Sequence, residues 1–418
     1  MELTDMENEN KRLKILMSAY ACEPNKGSEP GVGWNWAIHM AEYCEVYVIT
    51  RSNNRPAIEK YCAKSPLAHI HFFYFDCGKI AKKVKKLPNG IFAYYKIWQR
   101  GILPIAQKIV DSEKIDIIHH VTFNEFRTPG KLYKLGTPFV WGPIGGGQFY
   151  NPIFREAFFS SKDIAKERIR NLINRAYLSF SKDIHKTVLS AKAILIADPS
   201  TQAAMPKTRE YIRLLETAYN TERNTIKKYM PHDGPIRLLW VGGIWPRKGL
   251  KVLLDALGES TFKDFTLDVI GDGDDRKKCI QLCEAYGLQD KVHFGGKLSY
   301  EQVNQEYDKA DVFVFTSLRD TSGNVVLEAM SHGLPVIALD HHGVSEMITE
   351  ETGTKIKIQS YGQIKKDLIT TIRKYKSNFA WLQQQGVAGR KRVEEVYSWN
   401  RNAEIMYSVY VRKDRENE

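Results

Sequence analysis

Apolar runs of five to eight residues alternate with stretches of helical period along almost the whole chain. In the first half, residues 13–20, 45–50, 70–75, 115–121, 138–143 and 193–198 read as buried strands, with helical patterns at 33–43, 55–63, 94–111 and 128–135. In the second half, strands are expected at 237–243, 266–273, 292–296, 311–317, 335–340 and 354–358, and helices at 249–258, 274–287, 299–310 and 325–332. Strands that alternate with helices predict parallel sheets covered on both faces, the α/β class. The pattern breaks at Pro231-His232-Asp233-Gly234-Pro235, where two prolines and a glycine interrupt regular structure. A chain of 418 residues is longer than one core usually supports. We therefore expect one Rossmann-like, doubly wound domain over 1–232, a second over 233–395, and a closing helical segment over 396–418.

The most informative stretch is 311–339. A buried strand from Val312 to Phe315 leads through a polar loop into a helix from Val325 to His332, and a second buried strand follows from Pro335 to Leu339. Gly333 stands where a helix stop belongs, with Pro335 just beyond. Two carboxylates lie eight positions apart, Asp320 in the loop and Glu328 on the helix. The loop sits at the carboxyl end of its strand, where open α/β sheets bind ligands. Gly323 lets the backbone around Asn324 and Val325 approach an anion, so an acid pair here suits sugar or ribose hydroxyls beside a phosphate.

Other strand ends carry complementary chemistry. Residues 240–250 form a strand end, a turn containing Gly243, and a helix start near Gly249, with Arg247 and Lys248 beside that start. A guanidinium next to an ammonium can clamp a diphosphate and offset charge that develops on it. The loop over residues 18–37 carries Gly31 and Gly33 ahead of a helix, a place for close backbone approach to phosphate. Trp36 occupies the position where a dinucleotide fingerprint needs its third glycine, which argues against a nicotinamide dehydrogenase. His119 and His120 end the fourth strand. Consecutive strand residues point to opposite faces, so only one of them can face the cleft. Residues 141–148 place three glycines after the fifth strand, read as a substrate loop, and Gly343 with Glu346 forms a further turn.

The 311–339 pattern resembles the acid–seven residues–acid signature of the family 4 retaining glycosyltransferases. Gly323, Val325, Val326, Leu327, Glu328, Ala329, Met330, Gly333 and Pro335 match it, while Asp320, Thr321 and Ser322 depart from the usual Glu-Pro-Phe. The resemblance implies a GT-B architecture, two Rossmann-like domains facing across a cleft, with residues 396–418 crossing back onto the first domain. It implies transfer of a sugar (hexosyltransferase type) from a nucleotide-diphosphate sugar with retention, and no metal or other cofactor. Arg247 and Lys248 would assist the leaving group, Asp320 would hold the donor sugar, and Glu328 the ribose. Gly31, Gly33, Gly243, Gly323, Asn324 and Val325 would approach the nucleotide, and a histidine, His119 in preference to His120, would touch the transferred sugar. The segments SEPGVGWNWA, HHVTF and VWGPIGGG are similar to the branch found in bacterial polysaccharide biosynthesis, with a glycan or lipid-linked acceptor. The rival readings are another sugar-nucleotide reaction on the same fold, such as epimerisation or phosphorolysis, and a non-catalytic sugar-binding scaffold.

Composition adds constraints. With 43% hydrophobic and 26% charged residues the chain reads as globular, and no apolar run approaches the ~20 residues that span a bilayer. The acidic start lacks the features of a signal peptide. Six scattered cysteines read as free thiols of a reducing compartment, so a cytoplasmic protein is expected. The net charge of +12 is uneven: residues 1–232 hold 35 Lys and Arg against 22 Asp and Glu, and residues 233–418 hold 26 against 27. No nucleic-acid module accompanies the basic half. Residues 82–100 mix lysines with aromatics, which suits peripheral contact with the inner face of an anionic membrane. Residues 166–175 form a second basic stretch.

Overall fold

The computed structural model describes residues 12–87, 90–219, 229 and 232–412. Seven strands build the first sheet: β1 (Leu13–Ser18), β2 (Cys44–Arg51), β3 (Ile70–Phe75), β4 (Ile117–His120), β5 (Phe139–Ile144), β6 (Ala193–Ile196) and β7 (Ile212–Arg213). Their order is β3-β2-β1-β4-β5-β6-β7, with every pairing parallel. Six more build the second: β8 (Ile236–Val241), β9 (Phe265–Ile270), β10 (Val292–Gly296), β11 (Val312–Phe315), β12 (Val336–Leu339) and β13 (Gly353–Ile356). Their order is β10-β9-β8-β11-β12-β13, again parallel. This is the doubly wound GT-B architecture that the alternating pattern and the resemblance led us to expect.

In both sheets the winding reverses between the first and fourth strands, and helices diverge there to leave a crevice. The loops after β1, β4, β8 and β11 are the ones that carry the candidate residues. Apolar side chains fill both faces of the first sheet in two clusters, one around Trp36 and Val48 and the other around Trp98 and Trp141. A single larger cluster surrounds the second sheet.

Several helices differ from expectation for identifiable reasons. The first helix begins at Ser28 rather than near residue 33, so Gly31 and Gly33 are helical. The pattern at 94–111 is two helices, Gly90–Gly101 and Leu103–Glu113, divided just ahead of Pro104. The stretch at 128–135 forms only a 3₁₀ turn at Leu132–Leu135. A 20-residue helix, Ser161–Phe180, stands where no helix was expected, with Ile169, Leu172, Ile173 and Phe180 facing outward.

The domains are not divided cleanly by sequence. Residues 150–164, between β5 and β6, cross to the second domain, where Phe154, Ala157 and Phe158 join its buried core. The closing helix Trp399–Val411 returns to the first domain. There Trp399 packs edge-on against Trp36 at 5.4 Å, and the Asn402 amide donates to the Leu215 carbonyl at 3.2 Å. The acidic start of the chain, residues 413–418 and much of the linker before His232 lie outside the described residues.

Candidate active site

After β8 the chain turns through Gly242 and Gly243 into a 3₁₀ turn, Pro246–Lys248, and then the helix Leu250–Glu259. Gly249 makes the junction with φ of +67°, and a Cβ there would lie 2.1 Å from the Thr316 carbonyl. Glycine thus lets this turn press against the end of β11. The Leu318 amide donates to the Arg247 carbonyl at 2.8 Å, and the Arg247 guanidinium donates to the Arg319 carbonyl at 3.2 Å. The result brings the two loops together side by side, with Lys248 in an ion pair with Asp320. Burial pushes the Asp320 carboxyl up, but the Lys248 ammonium and the Arg247 guanidinium outweigh it and hold it below the usual carboxylate range. Burial and neighbouring Arg319 lower Arg247, with Asp320 opposing. Gly243 lies under Trp245, whose indole nitrogen would be 2.1 Å from a Cβ.

The β11 loop ends at Gly323, whose φ of +69° starts the helix Asn324–Ser331. The ring of Phe315 leaves no room for a side chain there. One turn further, Glu328 accepts a hydrogen bond from the Tyr307 hydroxyl at 3.0 Å. Burial pushes the Glu328 carboxyl up, and that hydrogen bond counters it. Glu328, Asn324, Leu327 and Tyr300 face Ser28 and Gly31 of the first domain across a cleft of about 530 Å³. A Cβ on Gly31 would meet the Lys26 carbonyl at 1.9 Å, and one on Gly33 the Ala21 carbonyl at 2.0 Å. Both glycines therefore serve close packing of the helix start against its own loop. Gly31 also lines the cleft, and Gly33 does not.

The structure thus joins Gly31, Asn324 and Glu328 in one cleft and Arg247, Lys248 and Asp320 in one charged cluster, the two connected by residues 320–324. Arg247, Lys248 and Asp320 do not line the cleft itself. The histidines lie elsewhere. His119 is buried, one ring nitrogen 2.6 Å from the Gly142 carbonyl and the other 2.6 Å from the Tyr410 hydroxyl, so it ties β4 to the closing helix. This differs from the expectation of a cleft-facing His119: both nitrogens are already engaged inside the protein. His120 is buried on the opposite face, 2.8 Å from the Tyr95 hydroxyl. Burial lowers His119 to about 3 and His120 to about 4, so both rings are neutral near pH 7.

Several partners of the site carried no sequence signal. Glu216, in the segment after β7, is buried and accepts from the Ser322 hydroxyl at 2.5 Å, while its other oxygen has no partner. Burial pushes it up to about 7, with Ser322 opposing. Its only hint in sequence was an acid inside an apolar run. The glycines of 145–147 are packed rather than loose: Gly145 lies against Thr321 and Gly147 against Thr201. Gln148 donates to the Thr321 hydroxyl at 3.3 Å. Glu346 pairs with Arg213 across the domains. In residues 82–100, Tyr94, Tyr95 and Trp98 are buried in the core, Phe92 is half-buried, and Leu87 and Ile97 are exposed. The cysteines are all free thiols, and among the described residues no helix is long and apolar enough to cross a membrane.

Residues 221–385 match the family model described as "Glycosyl transferases group 1". An uncharacterized glycosyltransferase, MJ1607 of Methanocaldococcus jannaschii, is 29% identical over 179 residues, 43% of this chain and 45% of that protein. The amylovoran biosynthesis glycosyltransferase AmsK of Erwinia amylovora is 28% identical over 153 residues, 35% of this chain and 38% of that one. The matched stretch thus spans less than half the length of either relative. Among solved structures, Anabaena Alr3699/HepE in complex with UDP and glucose superposes over 96% of this chain and 100% of that chain, with a TM-score of 0.60 and 16% identity. That likeness covers both domains and concerns the fold.

Proposed function

We propose that this chain is a retaining glycosyltransferase that moves a sugar from a nucleotide-diphosphate sugar to a glycan or lipid-linked acceptor, in cell-surface polysaccharide biosynthesis. One arrangement carries the reading: the Arg247–Lys248–Asp320 cluster borders the helix start at Gly323, and Glu328 of that helix opens into a cleft shared with the first domain. Glu328 holds the ribose hydroxyls. The free amides around Asn324 and Val325 and the two cations take the diphosphate. Donor entry redistributes the Lys248–Asp320 pair, so that Lys248 turns to phosphate and Asp320 to a sugar hydroxyl. As the glycosidic bond breaks, the cations stabilise charge on the departing diphosphate, and the acceptor hydroxyl attacks from the same face, its proton passing to the departing phosphate oxygen. The family match over 221–385 supports the donor side of this reading. The polysaccharide-synthesis relative and the UDP- and glucose-bound fold neighbour support its substrate classes.

Incubation with a panel of labelled nucleotide sugars, followed by product isolation and NMR of the new anomeric centre, tests the proposal. A transferred sugar with the donor's anomeric configuration is expected. Inverted product would reject retention. Epimerised sugar nucleotide or sugar phosphate as the only product would reject the transferase reading.

A further inference from the structure

The helix Ser161–Phe180 turns a mixed face inward, where Ile164, Tyr177 and Leu178 pack against the cores beside polar residues, and an apolar stripe outward. The inward polar residues are hydrogen-bonded: Asn174 and Arg170 donate to the Gly146 carbonyl at 3.1 and 2.8 Å, Arg170 also to the Gln148 carbonyl at 2.6 Å. Asn171 exchanges hydrogen bonds with the Tyr150 backbone. Its outward side is apolar, with Ile169, Leu172, Ile173 and Phe180 exposed by 55%, 64%, 41% and 81%. At ~100° per residue these four and Ala176 fall within an arc of about 100°. Exposed Arg168 and Arg175 flank one edge, and Lys162 and Lys166 lie at the amino end. Both carboxylates of the helix are engaged, Asp163 by Ser160 and Lys166 and Glu167 by two 3.0 Å hydrogen bonds from Arg319. An apolar stripe bordered by cations, on a helix whose acids are neutralised, is the composition that enters the headgroup region of an anionic bilayer.

We infer that Ser161–Phe180 is the element by which this chain docks on an anionic bilayer, its apolar stripe among the lipids and its polar side facing the active site. The inference rests on the proposed lipid-linked or membrane-proximal acceptor and places the contact here rather than at residues 82–100, where Tyr94, Tyr95 and Trp98 are buried. Charge selects the occupant. A second copy would set the same cations against each other, whereas anionic headgroups complement them and the basic first domain. The geometry also couples docking to catalysis, because Glu167 holds Arg319, the residue next to Asp320.

The test is flotation of the full-length chain with phosphatidylcholine vesicles, with and without phosphatidylglycerol. Binding to the anionic vesicles that weakens with salt is expected. Ile169→Ser/Leu172→Ser/Phe180→Ser should lose roughly tenfold or more of it, and Arg168→Gln/Arg175→Gln about fivefold per charge. Both variants should keep the parent's thermal midpoint and its transfer to a soluble acceptor. Absence of vesicle binding by the parent chain overturns the inference. So does binding that ignores both variants but is lost on replacing Lys82, Lys83, Lys85 and Lys86 by Gln, or a dimer that the triple variant dissociates. If docking follows these expectations and no sugar is transferred, the docking inference stands and the transferase reading fails.

Discussion

At the scale of single residues, the candidate site is a set of charges that neutralise one another, Lys248 with Asp320, and the proposed donor would redistribute them. Lys248→Ala removes a cation that matters most as the diphosphate leaves, so kcat should fall by roughly 10²–10³ with a smaller change in donor KM. Glu328→Ala removes contacts present in the ground state, so calorimetry should show weaker binding of free nucleoside diphosphate. Asp320→Ala should leave that binding nearly intact. Loss in Asp320→Ala with retention in Glu328→Ala would reverse the assignment of the two acids. Because Arg247 and Lys248 can neutralise the diphosphate, transfer should persist in EDTA. Activity that disappears with chelator and returns with Mg²⁺ or Mn²⁺ would reject this, and would direct attention to the exposed pair Asp272 and Asp274 after β9. Glu216 gives a pH signature. Its folded pKa is raised to about 7, chiefly by burial, from an ordinary 4.5. Its contribution to stability is therefore full below pH 4.5 and is lost as pH rises through about 7. Glu216→Gln lacks that loss, so its thermal midpoint should gain on the parent's between about pH 5 and pH 8. A difference that does not change with pH would show that Glu216 does not titrate in this window.

At the scale of elements, glycines decide how closely the site loops approach. Gly33→Ala would set a methyl 2.0 Å from the Ala21 carbonyl and 2.8 Å from the Thr122 methyl. Denaturant unfolding should show a loss of about 1–3 kcal/mol, and a neutral result would mean that the helix start can shift freely. The sequence made the strands legible because parallel strands, buried on both faces, are continuous apolar runs. It made the β8 and β11 loops legible because their charged residues follow such runs directly. Three things were hidden. Helix Ser161–Phe180 leaves its longest apolar stripe exposed and buries Asn174, so its periodicity does not point to the core. His119 looked like a cleft residue because strand ends normally open there, whereas the closing helix, 291 positions away in sequence, brings Tyr410 onto it. Glu216 meets Ser322 only through the domain interface, and no local pattern encodes a contact between residues 106 positions apart.

At the scale of the whole molecule, two kinds of contact join the domains. Across the cleft they are polar: Arg319 with Glu167, Ser322 with Glu216, Tyr219 with Tyr300 at 3.2 Å, and Ser200 with His342 at 2.8 Å. Polar contacts exchange readily with water, so this side can open for substrate. At the crossing segment 150–164 the contact is apolar and deep. Phe154 is 1% exposed within the second domain's core, its ring 5.6 Å from that of His341. Opening that side would expose large aromatic surface, so any opening of the cleft is expected to pivot at the crossing segment. Phe154→Ala should therefore cost about 3–5 kcal/mol, and the damage should appear in the domain that does not contain the residue. Hydrogen exchange should accelerate in Tyr361–Ser377, which packs beside this segment, while β1 and β2 of the first sheet stay protected. Arg319→Ala breaks only a polar contact across the cleft, so it should loosen the 146–150 loop and leave Tyr361–Ser377 unchanged. Exchange that rises equally in both sheets of the Phe154→Ala variant would show that the two domains unfold as one unit and that the crossing segment is no separate anchor.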